Sequence, residues 1–307
     1  MNAPQPIPYQ GSKRHLAGRI LSYLPAAAPR LIEPFAGSAA LSLAALAAHK
    51  VPHVIIADND QPLIALWQAM LHDPEQLAEN YRKLWQAQLG QERVFYQTVR
   101  AAFNLQRRPE QLLYLLARCV KASVRYNAQG AFNQSADHRR KGARPETMRK
   151  RLLATHALLK GRATILCADY RETLALATPQ DVVYLDPPYE GISKRDRRYR
   201  NTLEREAFLE TLEALNRRQI AYLLSYDGHT DGKVYGEPLP TWLDLSCVEL
   251  CAGRSSQATL HGKRALTYES LYLSPALRAR LPQVSFQREL FSALRKKRTT
   301  LACHFVR

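Results

Sequence analysis

The sequence predicts an α/β domain interrupted by a mainly helical insertion, and three observations predict it. Short apolar runs that end in acids or small residues recur at RLIEPFAGSAA (30–40), VPHVIIADND (51–60), RATILCADY (162–170) and DVVYLDPPY (181–189). Patterns rich in Ala and Leu, suited to helices, alternate with them. Between residues 66 and 160 the strand-like runs stop and amphipathic helical patterns take over. The expected division is a first part of the α/β domain at 1–65, a helical insertion at 66–160, a second part at 161–274 and a basic C-terminal extension at 275–307.

In chain order, IPYQGSKRHL (7–16) reads as a Gly/Ser-containing loop leading into a helix. RLIEPFAGSAALSLAALAAHK gives a strand, a small-residue turn and a helix, and VPHVIIADND a second strand ending in acids. DQPLIALWQAML, EQLAENYRKLWQAQL and EQLLYLLARCVKAS read as helices of the insertion, followed by a polar, basic loop, RYNAQGAFNQSADHRRKGARPE. Strands resume at RATILCADY and DVVYLDPPY. EREAFLETLEALNRRQIAYLLSYDG is a helix feeding a strand, and CVELCAG and RALTYESLYLS are two late strands expected to pair.

The composition narrows the function classes. With 46% hydrophobic residues in 307, wholesale disorder is excluded. The formal charge, 44 − 27 = +17, favours a polyanionic partner such as nucleic acid. No apolar stretch approaches the length of a membrane span, and the N-terminus lacks a signal-like core, so no membrane partner is expected. The five cysteines, at 119, 167, 247, 251 and 303, form no zinc-finger spacing. Reduced cysteines in a cytoplasmic protein without a metal are the simplest account.

An open α/β sheet binds ligands beyond the carboxyl ends of its strands, where several chemistry-bearing residues fall. In EPFAGSAA, Gly37 allows a tight turn, and Ser38, Ala39 and Ala40 allow close approach to backbone. Asp58 follows 58 − 37 = 21 residues later, placed either to accept hydrogen bonds from ribose hydroxyls or to cap a helix. The segment lacks GxGxxG, which argues against an ordinary NAD site, and GSK at 11–13 is no phosphate loop. Asp169 and Tyr170 offer an edge and a face to a nucleoside base, or are a solvent-facing acid beside a partly buried ring. DPPY is the most specific element. Asp186 can accept from an exocyclic amine, the Pro187 carbonyl can accept a second bond, Tyr189 can stack on a planar ring, and the rigid Pro187–Pro188 pair limits the entropy lost in arranging them.

Together these segments resemble the Dam-like D12 class of DNA adenine N6-methyltransferases, over most of residues 7–273. PYQGSK and EPFAGSAA are similar to its cofactor motifs, ADND to its ribose-binding strand end, CADYRE to its cofactor-adenine motif, RYNAQGAFN to a segment of its DNA-recognition insertion, and DPPY to its catalytic signature. The resemblance implies a Rossmann-like sheet that binds S-adenosylmethionine and releases S-adenosylhomocysteine, with no metal. It implies that Tyr9 and Lys13 bind the methionyl part, Lys13 through its carboxylate, that Glu33, Phe35 and Gly37 shape the cleft, that Asp58 receives the ribose, and that Asp169 and Tyr170 receive the cofactor adenine. Asp186, Pro187, Pro188 and Tyr189 would hold the flipped target base. Two departures stand out: Ala39 replaces a second glycine common in relatives, and SYDG at 225–228 is a loose match.

Double-stranded DNA is the implied partner of a monomer or weak dimer, with a cognate restriction endonuclease as a functional partner. Residues 137–151 carry seven Lys/Arg against two acids and 194–200 five against one. Arg139, Arg140, Lys141, Lys194, Arg195, Arg197 and Arg198 are thus candidates for phosphate contacts, or for an ordinary solvated surface. Arg125, Asn127 and Asn133 have two readings, as base readers or as polar residues bracing a loop. Cytosine N4 methylation and a catalytically inactive DNA-binding module are the alternative functions.

Overall fold

A computed structural model of the chain describes residues 3–188, 204–230, 233–235, 237–254 and 266–282. Tyr189, Lys194, Arg195, Arg197, Arg198 and most of the C-terminal extension lie outside the described residues.

The centre is a sheet of eight strands among the described residues. Strands β1 (Arg30–Glu33), β2 (His53–Asp58), β3 (Ala163–Cys167), β4 (Val182–Leu185) and β5 (Ala221–Thr230) lie parallel in the order β3-β2-β1-β4-β5. A short β6 (Lys233–Tyr235) pairs antiparallel to β5. β7 (Ser246–Arg254) and β8 (Leu266–Leu273) pair with each other as expected, and β8 joins the sheet antiparallel to β5. The SYDG segment falls where β5 shifts register against β8.

The strands are buried on both faces, which is why they read as continuous apolar runs rather than as alternating ones. Successive side chains point to opposite sides: Leu31, Val54, Val182 and Tyr184 enter one core, while Ile32, Ile55, Val183 and Leu185 enter another. The second core is closed by α8 (Tyr170–Ala175) and α9 (Arg205–Arg217), through Leu174, Phe208 and Leu212. The first core is closed by α2 (Ala40–Ala47), α3 (Gln61–His72) and α7 (Pro145–Leu159), and runs without a break into the insertion.

The insertion contributes α4 (Pro74–Ala87), α5 (Glu92–Gln106) and α6 (Pro109–Arg118). Of its helices, α5 and α7 are not among those read from the sequence. α5 buries only Tyr96, Val99 and Phe103 in four turns, and α7 carries a single stripe of Pro145, Met148, Leu152, Thr155 and Leu159, both between charged neighbours. The expected division at 65/66 falls inside α3, because one face of that helix covers β2 and β3 while the other packs on α6 and α7. Similarly, residues 275–280 form a helix, α10, docked on β5 through the fully buried Leu277. The first residues past 274 thus pack on the sheet.

β1 is the switch point of the sheet. From it the chain steps outward to β2 and β3, then returns to its other side for β4 and β5. Connections leave β1 and β4 toward opposite faces, opening a crevice at their carboxyl ends.

Candidate active site

That crevice is a cavity of about 1380 Å³, and the acids that end the strands converge on it. Glu33 closes β1, Asp58 closes β2, Asp169 follows β3 and Asp186 follows β4, and all four line the same space. Tyr9, Lys13, Phe35, Gly37, Tyr170, Pro187 and Pro188 line it as well. Residues far apart in sequence meet here because neighbouring parallel strands end level with one another.

The turn after β1 is held tightly. Gly37 has φ +48°, and a Cβ on it would lie 2.9 Å from Cε1 of the Tyr9 ring, so both backbone angle and space require glycine. Its N–H donates to Asp58 Oδ2 (3.0 Å), and its carbonyl accepts from Nε1 of the buried Trp67 (3.0 Å). Ala39 also adopts a left-handed conformation, φ +46°, where glycine would be unstrained. The Ser38 hydroxyl reaches Ser12 Oγ at 2.8 Å and ties the turn to the N-terminal loop.

Asp58 does more than end a strand. Its second oxygen accepts from the Asp60 N–H (3.0 Å), so the carboxylate joins the β1 and β2 turns while facing the cavity. Burial pushes the Asp58 carboxyl above its ordinary range, against the pull of the Gly37 and Asp60 N–H groups. Glu33 is 3% exposed and accepts from the Ser42 N–H (3.0 Å) and hydroxyl (2.5 Å). Burial raises it to about 7; the Ser42 bonds oppose this, and the charge of Asp186 adds to it.

Lys13 is 6% exposed, with Nζ 2.9 Å from Asp186 Oδ1 and 3.5 Å from Glu269 Oε2. A buried ammonium needs such partners. In the protein alone, Lys13 thus sits on the DPPY acid. Glu269, in the middle of β8, has no local motif to mark it in the sequence; only the pairing of β8 with β5 carries it to the cavity.

On the β3 side, Asp169 caps α8 in a reciprocal capping box with Glu172. Its Oδ1 accepts from the Arg171 N–H (3.0 Å) and Nε (2.9 Å). Burial pushes its carboxyl up, but these Arg171 bonds outweigh that and hold it below the usual range. Tyr170 is nearly buried: its ring stacks on Phe35 at 5.2 Å and 26°, with the Arg171 guanidinium 5.5 Å from its centroid. Phe35 is the more exposed of the two rings at the cavity wall.

Residues 125–133 form a small hairpin, with bridged Tyr126 and Phe132, at the insertion side of the cavity. Asn127 braces it, its Oδ1 accepting from the Ala131 N–H at 2.8 Å. Arg125 and Asn133 are exposed. Arg139 and Arg140 both pair with Asp137, and Lys141 with Glu92 at 3.0 Å. Tyr126, Arg107 and Asp60, none of them singled out in the sequence, complete the wall between hairpin and sheet.

Residues 9–235 match the family profile of the D12 class N6 adenine-specific DNA methyltransferases. The chain belongs to that family. Its sheet is accordingly the Rossmann-like sheet of a methyltransferase, with a helical insertion. The chain is 32% identical over 191 residues to the retron Ec67 DNA adenine methylase of Escherichia coli, a match covering 60% of this chain and 63% of that protein, a little under two thirds. It is 31% identical over 191 residues to the DNA adenine methylase of Serratia marcescens, covering 61% and 67%. Against the DNA adenine methylase of Escherichia coli K12 it is 30% identical over 229 residues, covering 71% and 79%. Among the described residues, no helix is long and apolar enough to cross a membrane.

Proposed function

We propose that the chain transfers a methyl group from S-adenosylmethionine to the exocyclic N6 of an adenine swung out of double-stranded DNA. One observation carries this reading: the acids ending β2, β3 and β4 and the buried Lys13 line a single cavity at the switch point of the sheet. The residues fit the donor. Asp58 keeps acceptor capacity toward the cavity for a ribose, Asp169 and Phe35 offer an edge and a ring to its adenine, and Lys13 and Tyr9 lie where its amino-acid end would be held.

When bound, S-adenosylmethionine supplies a methyl on a positively charged sulfur, whose carbon–sulfur bond breaks as the amine lone pair forms the new nitrogen–carbon bond. The chain's part is chiefly positioning, because the amine lone pair is delocalised into the base and makes a poor nucleophile. The Asp186 carboxylate and the Pro187 carbonyl accept the two amine N–H groups, turn the lone pair toward the donor, and favour the positive charge that develops on nitrogen before a proton leaves. Lys13, 2.9 Å from Asp186 Oδ1, holds the carboxylate in place for the amine. Tyr189 would stack on the swung-out base and offset part of the cost of unstacking.

The test is transfer of labelled methyl from the donor to varied duplexes, followed by identification of the modified base. N6-methyladenine in duplex DNA is the expected product. N4-methylcytosine, or cofactor binding without transfer, would overturn the proposal.

A further inference from the structure

The hairpin at 125–133 is held from two sides, and the two sides differ in kind. From the insertion, Asn104 grips both the N–H and the carbonyl of Phe132 (2.7 and 3.1 Å), and Arg107 donates to the Gly130 carbonyl at 2.7 Å. From the sheet, the Tyr126 hydroxyl reaches both carboxylate oxygens of Asp60, at 3.2 and 3.3 Å. Asp60 stands at the N-cap of α3, yet makes no capping hydrogen bond of normal geometry there, which is the usual use of an aspartate at that position. Its carboxylate reaches the hairpin, while the Leu63 N–H of α3 also draws on it.

Asp60 is also bound to Asp58, which accepts its N–H. Asp58 and Asp60 therefore link the turn after β1 to the hairpin: the Asp58 carboxylate accepts from the Gly37 and Asp60 N–H groups, and the Asp60 carboxylate accepts from Tyr126. The two carboxylates are half-buried neighbours in the cavity wall and repel. Burial, and then the charge of Asp58, raise the Asp60 carboxyl to about 6, with the Tyr126 bond pulling the other way.

From this arrangement we infer that Asp60 is a positioning residue that seats the hairpin against the cofactor cleft through Tyr126, so that cofactor binding at Asp58 and DNA binding at the hairpin reinforce each other. Hydroxyls donated into Asp58 spread its charge and relieve the repulsion on Asp60, which favours the ionised form of Asp60 as the acceptor for Tyr126. By linkage, a hairpin pressed home by DNA favours the cofactor by the same factor. The inference rests on the cofactor reading of Asp58.

The experiment is hydrogen exchange at the amides of residues 124–133, in the full chain with and without S-adenosylhomocysteine, whose affinity is measured in parallel by calorimetry. In the wild-type protein the ligand should slow exchange across the hairpin about tenfold, within the usual range of coupling between sites. Tyr126→Phe should raise exchange in the ligand-free protein and abolish the added protection. Asp60→Asn keeps an acceptor but loses the charge, so it should leave ligand-free exchange nearly unchanged and still abolish the added protection; a merely structural role would not separate these two effects. Wild-type binding without hairpin protection, or equal protection in either variant, overturns the inference alone. Failure of the wild-type protein to bind the ligand overturns the cofactor reading as well.

Discussion

The carboxyl edge of the sheet and the hairpin at 125–133 face the same cavity, but they are positioned by different means. At the sheet edge the backbone does the placing: Glu33, Asp58 and Asp186 stand where they do because β1, β2 and β4 end side by side in fixed register. In the hairpin, side chains from elsewhere do it. Phe132 is held by Asn104, Gly130 by Arg107 and Tyr126 by Asp60, across separations of 28, 23 and 66 residues. A site built on strands is rigid by construction, whereas one built on side-chain braces can be loosened one brace at a time.

The sharpest way to test this contrast is Asp186→Ala. If the sheet edge serves chemistry, methyl transfer in single-turnover assays should fall about 10²- to 10³-fold or more, as for loss of a transition-state contact, while S-adenosylhomocysteine affinity stays within a few-fold. Equal losses in transfer and binding would make Asp186 a cofactor anchor instead.

Glu33→Gln probes the electrostatic strain at the same edge. The Glu33 carboxyl is raised to about 7 by burial, above its unfolded value, so its neutral form is favoured in the folded chain. The wild-type protein is therefore unpenalised below about pH 4.5 and loses stability as pH rises through about 7. Relative to Glu33→Gln it should lose on the order of 2 to 3 kcal/mol across that window, read as a pH-dependent difference in denaturant midpoint. A constant difference between pH 5 and 8 would count against a strained carboxyl.

On the other side, Asn104→Ala leaves the backbone groups of the buried Phe132 without their partner. It should cost about 1 to 3 kcal/mol and open the hairpin to exchange, with ligand affinity in the absence of DNA falling by no more than the coupling factor of about tenfold. An equally large loss of cofactor affinity would erase the distinction between the two regions. The smallest effect is expected at Arg139, which is 92% exposed: Arg139→Ala should weaken duplex binding by a few-fold, alike for all sequences, and flatten the salt dependence by about one unit. Loss of sequence preference would instead make it a base reader.

The same contrast explains what was legible in advance. The strand-turn units carrying Glu33, Gly37, Asp58, Asp169 and Asp186 announce themselves locally, through an apolar run followed by an acid or a small residue. Asp60 and Tyr126 lie inside motifs that were read, yet their bond joins residues 66 apart, and no local pattern marks it. Glu269 had no motif at all. Helices α5 and α7 escaped because their buried stripes are narrow and set among charges.

By itself the sequence determined the α/β class, the helical insertion, the strand ends that carry acids, and the family, because each depends on periodicity and residue type within a short window. Only the tertiary structure decided that β1 lies between β2 and β4, that Lys13 rests between Asp186 and Glu269, and that the hairpin is tied to the β2 end through Asp60. These depend on which distant segments are brought within a few ångströms, and that is settled by the packing of the whole core rather than by any stretch of the chain.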